Sequence, residues 1–242
     1  MYRNYVFDLY GTLVDIHTDE YKDELWQALC PLLAETGVSY QPEELRDAYH
    51  AEVRRQEALL RKALRDTGRT GEPEVEIGDV FRRMVSAKGV CLDGQEIAAL
   101  ARIFRTLSTE KFRLFDGAEE LLRQLKGRGK GVYLLSNAQR LFTRPELSAL
   151  GLEGYFDGML LSSEAGVKKP DPQFYQILLR QYHLRPEDCL MTGNDDLADC
   201  HGAAAVGMDS CYIPTEQSPV RQRPLPPNCR EIHHILEVLA LE

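Results

Sequence analysis

Short apolar runs alternate with amphipathic segments along much of this chain. Tyr5-Val6-Phe7-Asp8-Leu9 is broken by one acid and followed by Gly11-Thr12, which predicts a buried strand ending in a turn. Runs of core-strand length recur at 131–135, 158–161, 189–192 and 210–213. At 118–126, 145–150, 172–182 and 197–206 apolar residues return every three or four positions, the helical period. Strand and helix therefore alternate from 116 onward. That alternation predicts an α/β fold, a Rossmann-like doubly wound parallel sheet with helices on both faces, whose ligands sit outside the carboxyl ends of the strands.

Residues 19–112 break the alternation. They hold no convincing strand and are dense in helix formers, as at 43–65 and 95–112. Gly37 and Gly89 mark helix ends, and the glycine-rich 66–73 divides the region into helical pairs. The expected organisation is a core of 1–16 with 113–242, interrupted by an all-helical cap at 17–112 of four or five helices. Near the end, 218–229 carries four prolines and reads as an extended surface strap before a last helix at 230–241.

Composition narrows the partners. The 242 residues include 38 acidic and 29 basic side chains, a formal charge of -9 that repels nucleic acid and anionic lipid. No run approaches the ~20 apolar residues of a membrane helix, and the polar start lacks the features of a signal sequence, so neither a nucleic-acid nor a membrane partner is expected and the expected location is cytoplasmic. Six scattered cysteines form no CxxC pair and read as reduced packing thiols. The arginines at 54, 55, 61 and 65 read as a solvated helix face. Oligomeric state is not encoded in any pattern here.

Four clusters fall at the predicted strand ends. In the first, Asp8 precedes Gly11-Thr12: its carboxylate can act as a nucleophile while small residues let backbone N–H groups approach an oxyanion, although a lone aspartate there is as readily a cap. In the second, Ser136-Asn137 can donate to a substrate oxygen or cap a helix. The third, Lys168-Lys169-Pro170-Asp171-Pro172, offers a lysine to neutralise a transferred group and keep the nucleophile ionised; Lys169 is the choice and Lys168 the solvent-facing neighbour. The fourth, Gly193-Asn194-Asp195-Asp196-Leu197-Ala198-Asp199, crowds three acids after a strand. Such acids repel one another unless a cation compensates, and their hard oxygens suit Mg2+; an acidic helix start is the alternative.

In this order and spacing the four clusters resemble the haloacid dehalogenase superfamily of hydrolases, over 5–15 and 115–213, with the helical insert similar to that superfamily's first-type cap. The resemblance implies a covalent aspartyl intermediate on Asp8. Thr12, Ser136 and Asn137 would bind the transferred group, and Lys169 would stabilise it. Mg2+ would be held by Asp8, the Tyr10 carbonyl, Asp195 and Asp199, with Asp196 left over. The implied reaction is magnesium-dependent hydrolysis of a small phosphorylated metabolite, an anionic small-molecule substrate.

Two departures keep other readings open. Phosphatases of the superfamily place a second aspartate two residues after the nucleophile, and here that residue is Tyr10, which metal-independent 2-haloacid dehalogenases carry. The usual Gly-Asp of the fourth cluster is Gly193-Asn194. A dehalogenase, or a non-catalytic binding protein with the same fold, is therefore the alternative.

Overall fold

The computed structural model describes residues 1–66 and 73–241. Strand β1 (Asn4–Phe7) leads into the nucleophile loop and then into β2 (Val14–Thr18). Four helices follow, α1 (Asp23–Glu35), α2 (Pro42–Asp66), α3 (Ile77–Ala87) and α4 (Gly94–Ser108), before β3 (Thr109–Leu114) returns antiparallel to β2. The rest alternates: α5 (Ala118–Gly127), β4 (Gly131–Ser136), α6 (Arg140–Ala149), β5 (Gly158–Leu161), α7 (Ser162–Ala165), α8 (Pro172–Gln181) and β6 (Cys189–Gly193). A π-helical turn, Asp196–His201, then runs into α9 (Gly202–Ala204), β7 (Asp209–Tyr212), β8 (Cys229–Glu231) and a 3-10 turn at Ile235–Ala240.

Six strands form one sheet in the order β5-β4-β1-β6-β7-β8, and each neighbouring pair is parallel. This is the doubly wound α/β sheet that the alternation predicts. The chain winds outward from β1 in one direction through β4 and β5 and in the other through β6, β7 and β8. The order therefore reverses at β1, and the crevice beyond its carboxyl end is the place where such sheets bind ligands. The side chains of β1 alternate as a strand requires. Tyr5 and Phe7 enter one apolar cluster with Leu121, Leu134 and Ile235, while Val6 enters another with Phe174, Leu178 and Met191.

The four helices α1 to α4 enclose an apolar cluster of their own, with Trp26, Tyr49, Phe81 and Phe104 among its fully buried side chains. Asp93 starts α4 through a capping box, accepting from the Gln95 and Glu96 amides while Glu96 reaches back to the Asp93 amide. Phe142, on α6 of the sheet layer, is buried in the same cluster, and Gln139 donates to the Val75 carbonyl (2.7 Å). The helical region is thereby fastened over one side of the sheet's carboxyl edge. Of the glycine-rich stretch at 66–73, read from sequence as a break between helical pairs, residues 67–72 lie outside the described residues. Among those residues no helix is long and apolar enough to cross a membrane.

Three elements differ from the pattern-based expectation. The helix starting near 95 ends at Ser108 and does not run on to Phe112, because the Ser108 and Thr109 hydroxyls both take the Arg105 carbonyl, and the chain then pairs with β2. The helix expected from Pro145 begins at Arg140 and holds that proline in its interior. The last helix expected at 230–241 is an edge strand beside β7 followed by a 3-10 turn, since residues 229–231 find open backbone partners on β7.

Phe104 touches the rings of Trp26, Tyr49 and Phe81 at centroid distances of 5.7, 4.9 and 5.3 Å. Phe104→Ala should cost about 3–5 kcal/mol in urea-induced unfolding, the range for emptying a well-packed aromatic site. A loss below about 1 kcal/mol would mean that the cluster closes around the cavity.

Candidate active site

The carboxyl ends of β1, β4 and β6 and the loop after α7 converge on one buried ammonium group. Lys169 Nζ lies 2.7 Å from Asp8 Oδ1 and 2.7 Å from Asp199 Oδ1, and all three side chains are at most a tenth exposed. Burial alone would push the Lys169 ammonium down; the facing carboxylates, Asp199 first and Asp8 second, outweigh it and hold the pKa above its ordinary value. Burial pushes the Asp199 carboxyl up to about 6, opposed by the Lys169 charge and reinforced by Asp8. Lys168, the neighbour not chosen from sequence, is only half-buried.

Asp8 is oriented by its surroundings. Its backbone amide donates to the Thr192 carbonyl of β6 (3.0 Å), which fixes the chain just past β1. Ser136, the last residue of β4, donates to Asp8 Oδ1 (3.1 Å), and Thr12 lies 3.4 Å from Oδ2. Asn137 has both ends of its amide on the Lys169 backbone: Nδ2 donates to the carbonyl (3.0 Å) and Oδ1 accepts from the amide (2.8 Å). It therefore holds the lysine loop in register while still lining the cleft.

The fourth cluster is built around close approaches. Gly193 ends β6, and a Cβ there would stand 2.0 Å from Asp199 Oδ2, so only glycine leaves room for that carboxylate. Gly11 has φ +84°, and a Cβ on it would meet the Asn194 amide at 2.4 Å. Asp195 caps the π-helical turn, its Oδ1 accepting from the Leu197 and Ala198 amides at 2.9 and 2.8 Å. Asp199 Oδ2 accepts from the Asp195 amide (3.0 Å). The turn's irregular carbonyls are satisfied by the buried Tyr175 hydroxyl, which donates to Ala198 O (2.6 Å) and lies 3.1 Å from Asp199 O. A π-turn of this kind commonly marks a functional site.

Tyr10 lines the cleft, but its hydroxyl is committed elsewhere. It donates to Glu146 and lies 3.0 Å from the Thr143 hydroxyl, both on α6. Burial first, and the Glu146 charge second, push the phenol far above its ordinary pKa. Glu146 also pairs with Arg105 of α4 (2.7 Å), whose guanidinium stacks over the Tyr10 and Phe142 rings. Pattern reading of the sequence singled out neither Glu146 nor Arg105, because residues 41 and 136 positions from their partners carry no local signal.

All of the residues proposed from sequence as catalytic or metal-binding, Asp8, Tyr10, Lys169, Asp195 and Asp199, line one polar cleft of about 190 Å³ together with Ser136, Asn137 and Asn194. Thr12 stands behind it. The cleft also includes Gln217 and Pro219, the second from the 218–229 segment expected to be a surface strap and the first just before it. Their position directly after a core strand was the available signal, since every carboxyl end of this sheet faces the crevice.

Among the described residues no group of three or more His, Cys, Asp or Glu side chains is gathered as a preformed metal site. Among the described residues Asp195 Oδ2 takes no hydrogen bond and Asp8 Oδ2 meets only the Thr12 hydroxyl at 3.4 Å, whereas both oxygens of Asp199 are engaged at 2.7 and 3.0 Å. Two carboxylates with water and substrate oxygens are the donor set that Mg2+ usually accepts. Three acids against one lysine also leave the cleft with excess negative charge, so the donor chemistry fits a hard cation.

The fold is shared with known proteins. The human haloacid dehalogenase-like hydrolase domain-containing protein 3 is 35% identical over 152 residues, 61% of this chain and 58% of its own length. A ribulose-1,5-bisphosphate 5-phosphatase of Halopiger xanaduensis is 28% identical over 76% of this chain and 74% of its own. The crystal structure of a 2-haloacid dehalogenase from Pseudomonas syringae pv. Tomato superposes over 100% of this chain and 98% of its own with a TM-score of 0.65 at 20% identity, a likeness of fold. The chain thus spans little more than half the length of its human relative. A family profile described as haloacid dehalogenase-like hydrolase matches residues 2–207, and the chain belongs to that family of hydrolases.

Proposed function

We propose that this hydrolase releases phosphate from a small phosphorylated metabolite through a phosphoaspartyl intermediate on Asp8, with Mg2+ as cofactor. In this reading 1–16 and 113–242 are the catalytic core and 17–112 is the cap over it. The observation that carries it is the charge balance of the cleft: Asp8, Asp195 and Asp199 face a single lysine, an arrangement that admits a phosphate only with a cation present. The phosphatase named among its relatives supports the same class.

Asp8 attacks phosphorus; the P–O bond to the alcohol breaks and an Asp8–phosphorus bond forms. Water then attacks the same phosphorus, the Asp8 bond breaks, and phosphate leaves with Asp8 restored. Lys169 holds Asp8 in place and offers its positive charge to the transferred oxygens, while Ser136 and Thr12 fix the carboxylate's orientation. Asp8, Asp195 and Asp199 would hold the magnesium ion together with the Tyr10 carbonyl, and the ion would supply charge neutralisation for the phosphoryl group. The Tyr10 hydroxyl proton goes to Glu146, so the departing oxygen takes its proton from solvent.

Tyr10 also favours a second reading, a 2-haloacid dehalogenase, in which a halide leaves without a proton. That chemistry calls for a cation aimed at the substrate carboxylate in an apolar pocket. Here the Arg105 guanidinium above Tyr10 is paired with Glu146, and the cleft is polar.

Two measurements test the assignment. Purified protein given a panel of phosphomonoesters should release phosphate only with Mg2+, and Asp8→Asn should lower the rate by at least ~1,000-fold. Halide release from a 2-chloroacid without metal would establish the dehalogenase instead. The second is a pH profile: log kcat/KM should rise to a plateau as Asp199 ionises near pH 6. A raised carboxyl pKa means that the folded state binds this proton more tightly than the unfolded chain, so stability from this group is present at low pH and is lost as pH rises through about 6. Activity lost on acidification through that window is then not unfolding at Asp199. A flat profile between pH 5 and 7 would remove Asp199 from the active form.

A further inference from the structure

The strap after β7 is stitched to the catalytic loops by its first turn. Thr215 Oγ1 donates to the Gly11 carbonyl of the nucleophile loop (3.1 Å) and lies 3.4 Å from Asn194 Nδ2 of the fourth cluster. The turn is closed on itself, with the Thr215 amide on Ser218 Oγ (2.9 Å) and the Ser218 amide on the Thr215 carbonyl (3.0 Å). Between these fixed points stands Gln217, half-buried on the cleft wall.

Its anchor is Asp15 on β2, a carboxylate only 1% exposed that no step of the reaction uses. Asp15 Oδ2 takes Lys111 (2.7 Å) and Arg113 (2.9 Å) from β3, and Oδ1 accepts from Gln217 Nε2 (2.8 Å). Lys111 reaches on to Glu216 (3.0 Å). A carboxylate paired with two cations is a firm acceptor, so it holds one N–H of the Gln217 amide. The second N–H and the carbonyl Oε1 have no partner among the described residues, and Gln217 faces the same cleft as the nucleophile.

We propose that Gln217 is a specificity-determining residue that hydrogen-bonds a hydroxyl on the alcohol portion of the substrate, with Asp15 as its positioning residue. The assignment rests on the phosphomonoester reading above and adds to it the substrate class, a phosphate ester of a polyhydroxylated alcohol. A fixed primary amide suits this task, because it both donates and accepts and so pairs with a hydroxyl in either sense. It also discriminates, because an ester lacking the hydroxyl would leave these polar atoms desolvated and unpaired.

The test compares glycerol 3-phosphate with phenyl phosphate, which has no hydroxyl to offer, in wild-type protein and in Gln217→Met, which keeps the length of the side chain and removes the amide. The ratio of kcat/KM for the glycerol ester to that for the phenyl ester should fall about fivefold in the variant, the value of one neutral hydrogen bond. Gln217→Asn, which retains the amide, should recover part of that ratio, whereas a purely structural wall would lower both substrates alike. An unchanged ratio, or a wild-type protein that hydrolyses phenyl phosphate and not the glycerol ester, overturns the assignment and leaves the phosphatase reading standing. Hydrolysis of neither ester by the wild type sinks the phosphatase reading and this inference with it.

Discussion

The site depends on one buried cation. Taking an ammonium out of water costs several kcal/mol, and a lone lysine at this position would shed its proton. Asp8 and Asp199 prevent that from two sides at 2.7 Å, and the lysine's charge in turn opposes the rise that burial imposes on the Asp199 carboxyl. Most of the local architecture serves this arrangement. Gly193 exists to let Asp199 lie against the end of β6, Tyr175 satisfies the carbonyls freed by the π-turn that carries Asp199, and Asn137 clamps the backbone of Lys169 from the neighbouring strand end. None of these three residues need touch a substrate for its loss to matter.

Local patterns carried much of this. The strand at 5–9 and the strands near 131, 158, 189 and 210 could be seen because each is a short apolar run with turn residues beside it, and their alternation with helical periods determines the sheet. Asp8, Ser136 and Asp199 could be named because each follows or ends a strand, where a doubly wound sheet puts its ligands, and Lys169 because it lies in the loop that leads from α7 to the Pro172 helix start. Signals that depend on distant partners were invisible. The β2–β3 ladder joins segments nearly a hundred residues apart, and its second strand sits at the end of a long helical pattern that hides it. Gln217 belongs to the site only because Asp15 and Thr215 fold the strap back across it, which no window of sequence contains.

Tyr10 shows why a residue's place in a motif does not decide its chemistry. At that position a carboxylate could pass a proton to a leaving group. A phenol whose proton is given to Glu146, and whose ring lies under Arg105, has a structural task instead: it joins the nucleophile loop to α6 and, through the Arg105–Glu146 pair, to α4 of the helical region. Arg105 and Glu146 are both less than a fifth exposed, so water screens this pair little and its geometry is held firmly.

The same cleft therefore has two kinds of wall. On the side of α6, the Tyr10 hydroxyl is committed to Glu146 and Thr143, so that side holds the nucleophile loop. On the side of the strap, Gln217 lines the cleft and is anchored to Asp15 through one amide N–H. In the proposed phosphatase reaction the groups at Asp8 would be the lysine, the hydroxyls of Ser136 and Thr12, and a cation, none of which distinguishes one alcohol from another. In that proposed reaction, selection among alcohols would fall to groups outside this set, and Gln217 of the segment following β7 lines the same cleft.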